Sequence, residues 1–175
     1  MLSELEHYST ISLYSAMIVY AIAFVFYAVD LANRSGDPAV VATGSAPAKQ
    51  PRSRSLRIGF SLTVLGFALH LAATIMRGIG AERVPWANMY EFALTATCAI
   101  VLIFLLVQFF VDLRFLGTLV TGMTVLFLGV TKINFYVPIV PLPPPLDSYW
   151  RAIHIPVALL AAAFLTPSFG LYVLA

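Results

Sequence analysis

Long apolar runs alternate with short polar stretches along this chain. The runs are Ile11 to Ala32, Ile58 to Met76, Tyr90 to Val111, Phe115 to Val130 and Ile153 to Ala175. Each meets or approaches the roughly 20 apolar residues that a helix needs to cross a bilayer. No run shows the period-two alternation of a barrel strand. In lipid, backbone amides must be satisfied within their own segment, which leaves helices. The pattern predicts an all-α, polytopic membrane protein with about five transmembrane helices in a single domain spanning residues 1–175. No internal repeat is visible.

Composition agrees. Charged residues are 10% and hydrophobic residues 61% of the 175 positions, with a mean hydropathy of +0.92. Soluble domains carry roughly 25% charged residues. The net charge is only +2. Lys and Arg are scattered rather than striped among aromatics, which argues against a nucleic-acid partner. The single cysteine, Cys98, lies in an apolar run, so neither an internal disulfide nor a Cys-x-x-Cys pair is available. The opening Met-Leu-Ser-Glu-Leu-Glu is acidic, unlike the basic start of a cleaved signal peptide. No Ser-His-Asp set, phosphate loop or suitably spaced carboxylate pair points to hydrolysis or phosphoryl transfer.

The polar stretches set the topology. Residues 33–56 hold Gly36, Pro38, Gly44, Pro47, Pro51 and the basic cluster Lys49, Arg52, Arg54, the composition of a flexible, solvated loop. A bound anion is one reading of that cluster, and a cytoplasmic tether is the preferred one. With this loop inside, Arg34, Lys49, Arg52, Arg54, Arg57 and Arg114 share its side, Arg114 in the tight turn Asp112-Leu113-Arg114. That leaves Arg77, Arg83, Lys132 and Arg151 outside, as the positive-inside rule favours. The N-terminus and the loops 77–89 and 131–152 are then outside. Cysteines placed at Ser45 and Pro144 are expected to react with impermeant thiol reagents from opposite sides of the membrane. Labelling of both from one side would overturn this topology. Prolines in the second outer loop favour extended backbone that can lie along the surface as a stiff strap.

Candidate chemistry gathers in those outer loops. His154 stands in Asp147-Ser-Tyr-Trp-Arg-Ala-Ile-His-Ile-Pro156, at the mouth of the last apolar run. An ionisable side chain there is expensive and marks a candidate site. A helix starting near Ile153 puts His154 in its first turn, where Pro156 is tolerated. The helix dipole then disfavours imidazolium and leaves the neutral ring, which can ligate a haem iron. The alternative is an interfacial anchor made of Tyr149, Trp150 and His154. His70 lies at membrane depth, where an interhelical hydrogen bond is preferred over a role as second ligand. His7, in the polar N-terminal segment, reads as solvated. Asn88 and Glu91 suit an N-cap and a box-like arrangement at the start of the third helix. Cys98 is too deeply embedded to serve as a reacting thiol.

Two of these segments resemble a known family. Val84-Pro-Trp-Ala-Asn-Met-Tyr-Glu-Phe92 is similar to the Pro-x-Ser/Gly-Asn-Met/Leu-Tyr-Glu segment of the CcsA/ResC family of System II cytochrome c biogenesis proteins. Leu142-Pro-Pro-Pro-Leu-Asp-Ser-Tyr-Trp-Arg-Ala-Ile-His-Ile-Pro-Val-Ala-Leu159 is similar to that family's Pro-Ala-Leu-x-Ser-x-Trp-Leu-x-x-His-Val segment. Order and spacing match, with two helices between them, and the resemblance covers roughly Ile58 to Leu160. It implies a multi-pass protein of the bacterial plasma membrane that moves haem b to the outer side. There, with a CcsB/ResB-type partner, it would join haem vinyl groups to the Cys-x-x-Cys-His thiols of apocytochrome c, as part of a haem lyase. His154 falls on the first of two outward-facing family histidines and becomes the candidate iron ligand. Trp150 could stack on the porphyrin and Arg151 could meet a propionate, while Trp86 and Tyr90 could shape the haem cavity and His70 is a further candidate.

The departures are specific. Trp86 and Trp150 are the only tryptophans, and the family's Trp-rich outer loop, the WWD domain, has no counterpart. It should follow the helix that begins at His154. The chain is therefore expected to be an N-terminal portion of a longer protein or a natural truncation, inactive by itself. A competing expectation from another class is a non-catalytic helical subunit that assembles with a larger membrane complex.

Overall fold

The computed structural model describes residues 2–35, 54–108, 110, 116–139 and 149–174. These form five helices: α1 (Leu2–Ser35), α2 (Arg54–Gly80), α3 (Met89–Val107), α4 (Gly117–Asn134) and α5 (Tyr149–Leu174). All five are long and apolar enough to cross a membrane. Among the described residues there is no strand.

The helices outrun the apolar segments at several ends. Once an apolar core fixes the middle of a helix, extending it adds one hydrogen bond per residue without a new nucleus. Hence α1 takes in Glu4, Glu6 and His7, with Glu4 in the first turn where the dipole favours an anion. Helix α2 continues through Arg77 to Gly80, and α4 through Lys132 to Asn134. The outer loops are thereby trimmed. The first shrinks from 77–89 to 81–88, and only 135–139 of the second is described as irregular backbone. Helix α3 stops at Val107, short of Val111. Helix α5 begins at Tyr149 rather than near Ile153, so Pro156 lies inside the helix and not in its first turn. His154 is therefore in the second turn, beyond the strongest pull of the N-terminal dipole. The basic loop around 36–53, the Asp112–Arg114 turn and the prolines within 140–148 lie outside the described residues.

Helices α1 and α2 pack most extensively. Their seam runs at heptad spacing. Gly59, Gly66 and Gly80 of α2 meet large side chains of α1, and Ala73 faces Ser9. A Cβ built on Gly59 would stand 3.2 Å from the Tyr27 ring, and one on Gly66 would stand 2.8 Å from the Tyr20 ring. At Gly80 the α1 neighbour is Leu5. Small residues let two helix backbones approach, which is how helices associate where no hydrophobic drive separates them from lipid. Ser9 Oγ donates to Ala73 O at 2.8 Å and Ser12 Oγ to Leu69 O at 2.8 Å, adding hydrogen bonds across the seam.

Helix α4 packs against α1 and α3, and α5 lies at the edge, mainly on α3. Leu13, Tyr20, Leu94, Phe104, Leu116 and Leu128 form the shared core. Gly170, near the end of α5, abuts Leu116 and Leu119 at the start of α4, so those two helices run antiparallel. The outward faces are apolar too, with Ile18, Leu65, Leu126, Val157 and Phe164 exposed. Exposed apolar surface on this scale suits contact with lipid.

Candidate functional site

The start of α1, the end of α2, the start of α3 and the end of α4 meet at one end of the bundle. Here the chain buries charge. Helix α2 closes with a Schellman motif: Glu82 N–H donates to Ile79 O at 3.1 Å and Arg83 N–H to Gly78 O at 3.2 Å. Glu82 takes the left-handed position, with φ 51°, that glycine usually fills. The reversal turns Arg83 back toward α3.

Asn88 caps α3. Its Oδ1 accepts from Glu91 N at 2.8 Å, with the extended backbone of an N-cap. A capping box would send the Glu91 carboxylate back to the Asn88 amide. Instead Glu91 Oε2 accepts from Ala87 N at 2.9 Å and from Arg83 Nη1 at 2.9 Å, while Oε1 accepts from Arg77 Nε at 3.3 Å. Glu91 is fully buried and Arg77 is 1% exposed. One carboxylate thus ties the end of α2, the 81–88 turn and the start of α3.

Arg77 reaches further. Its Nη2 donates to Val137 O at 2.6 Å and its guanidinium lies 4.6 Å from the Tyr90 ring centre. Tyr136 packs edge-on against Tyr90, with ring centres 5.3 Å apart, and its hydroxyl donates to Glu6 Oε1 at 2.6 Å. Burial, and then that donation to a carboxylate, raise the Tyr136 hydroxyl above its ordinary pKa. The Lys132 ammonium sits 3.4 Å from the Tyr136 ring centre, 5.5 Å from that of Tyr90 and 5.6 Å from that of Tyr14. Three aromatic faces around one ammonium form a cation–π cage. The 135–139 stretch is therefore held to α1 by Glu6 and to α2 by Arg77.

The residues singled out from sequence fall in three places. Tyr90 is in the cluster, and Trp86 is half-buried in the 81–88 turn with its Nε1 buried and unpartnered. Trp150 and His154 lie one turn apart on α5, on the same helix face, and both are exposed. The side chain of Arg151 is outside the described residues. His70 is fully buried in the bundle, with Nε2 3.1 Å from Leu94 O. A carbonyl only accepts, so Nε2 carries the proton and Nδ1 keeps the lone pair, with no partner. That is the interhelical hydrogen bond expected for a histidine at this depth. His7 is exposed and Cys98 buried, as anticipated.

The sequence reading passed over Arg77, Lys132, Tyr136 and Glu6 as site residues. A signal existed: each cation occupies the last turn of an apolar helix, where the dipole favours it and where water is scarce. The cluster suits holding and orienting. No family model, no curated protein and no solved structure matches this chain.

Proposed function

We propose that the chain is a multi-pass membrane subunit of cytochrome c maturation. It would carry haem b as cargo and present it, with a CcsB/ResB-type partner, to the thiols of apocytochrome c. The proposal places it in a bacterial plasma membrane with its N-terminus outside. One observation carries the reading: Trp150 and His154 stand one turn apart on an exposed helix face, at the end of the bundle where charge is buried. This pair lies within the second of the two segments that resemble the CcsA/ResC family.

The residues fit such a cargo. The exposed His154 imidazole can offer a nitrogen to iron, and the 73% exposed Trp150 ring can lie against a planar macrocycle. Haem supplies the vinyl carbons, and the protein supplies orientation. His70 fits less well, because its Nε2 is committed to Leu94 and its ring is enclosed.

The test is an absorbance spectrum of protein purified after co-expression with the partner. His154→Ala is expected to lower haem retention at least about 10-fold, since even loss of an outer-shell partner costs that much at metal sites. Added imidazole should restore part of the Soret band by filling the vacant position. His70→Ala should leave the band per folded protein unchanged. Wild-type haem content in His154→Ala would remove this residue as a ligand. A protein that never carries haem would favour the non-catalytic subunit.

A further inference from the structure

The opposite end of the bundle carries a feature that haem handling does not use. An open groove of ≈ 510 Å³ runs along the start of α2, lined by Arg54, Arg57, Ile58, Ser61, Leu62 and Leu65. These positions recur every three or four residues, so they share one side of the helix. Leu56, Gly59, Thr63 and Gly66 occupy the other side and are buried. The groove therefore faces away from the bundle.

Its polarity is graded along the helix axis. Arg54 and Arg57, both exposed, stand in the first turn, which holds no acidic residue. Cations there repel the positive end of the helix dipole and each other. The neighbouring carboxylate, Asp30, is buried on the α1 side, where Ser55 Oγ donates to it at 3.4 Å. Next comes Ser61, whose hydroxyl donates to Arg57 O at 3.1 Å. Ile58 lies between Arg57 and Ser61, and Leu62 and Leu65 lie below Ser61, with Ile58 44% and Leu65 51% exposed. At 1.5 Å per residue, Arg54 to Leu65 spans about 16 Å, close to the depth of one leaflet.

We propose that this groove binds one anionic phospholipid. The phosphate would sit between the Arg54 and Arg57 guanidiniums, at a helix N-terminus that already favours an anion. An acyl chain would lie along Ile58, Leu62 and Leu65. Charge over apolar surface at a membrane boundary is the pattern by which basic pockets select acidic head groups. The inference rests on the membrane reading and not on haem, and it holds in either orientation.

The test is native mass spectrometry of the full chain released from nanodiscs made of equal parts phosphatidylglycerol and phosphatidylcholine. Phosphatidylglycerol should be retained over phosphatidylcholine by about 10-fold, as two arginines at the surface allow. The double variant Arg54→Gln/Arg57→Gln should bring that ratio close to one. Both side chains are exposed and outside the packed seam, so the bundle should remain intact. Lys49→Gln/Arg52→Gln removes the same net charge from the segment before α2 and should keep the preference. Equal retention of the two lipids by the parent chain would overturn the site. So would equal losses in the two double variants, which would reduce the effect to general surface charge. A chain recovered without any membrane fraction would overturn the membrane reading itself.

Discussion

Replacing Glu91 with alanine is expected to destabilise the protein by about 3–5 kcal/mol, the usual effect of removing one partner from a buried ion pair. The carboxylate is fully enclosed and joins Arg77, Arg83 and the Ala87 amide. Its removal leaves the Arg77 guanidinium buried, with Val137 O and the Tyr90 and Tyr136 faces as remaining company. Those contacts do not neutralise a charge. Arg83 is less affected, because its side chain is 18% exposed and can turn to water. The consequence should reach the 81–88 turn and the 135–139 stretch, because both are anchored through these two residues. Thermal unfolding in detergent, with proteolysis of the 81–88 turn as a local readout, measures the effect. Arg77→Met/Glu91→Leu should be less damaging than Glu91→Ala, because an apolar pair leaves no orphaned charge. An unchanged midpoint for Glu91→Ala would show that the cluster contributes nothing to stability.

The second large effect is steric. Gly66→Val is expected to destabilise by about 1–3 kcal/mol or more, the range for overpacking a filled core. A Cβ at this position would stand 2.8 Å from two atoms of the Tyr20 ring, inside any real contact. Tyr20 is fully buried and stacks edge-on with His70, with ring centres 6.1 Å apart, so its ring has nowhere to retreat. Helix α1 would be pushed off α2, and the serine bonds from Ser9 and Ser12 would lengthen. Tyr20→Ala should also destabilise by itself, through the cavity it leaves. Combined with Gly66→Val the two should cost less than their sum, because the valine fills part of that space. Strict additivity would mean that the two positions do not meet.

Much of the architecture is legible from residue pattern. Apolar runs long enough to span a bilayer, with so few charges, leave the backbone little choice but helix. The Asn88 cap is equally local, since a side chain three residues from Glu91 decides it. His70 was readable as a packing residue, because a lone imidazole at depth must find a partner.

The ends and the partners were not legible in this way. Hydropathy marks where lipid begins and not where helical hydrogen bonds stop, so α5 starts at Tyr149 and carries Pro156 within it. Glycines occur on several faces of α2 and elsewhere, and only the packed bundle selects Gly59, Gly66 and Gly80 as the seam. Glu6 and Tyr136 are far apart in the chain and meet at 2.6 Å because α1 and α4 pack side by side. The sequence by itself determined the number and kind of helices, because each satisfies its own backbone within one segment. The tertiary structure decided which charges pair across helices, because that depends on rotation and depth that no single segment specifies.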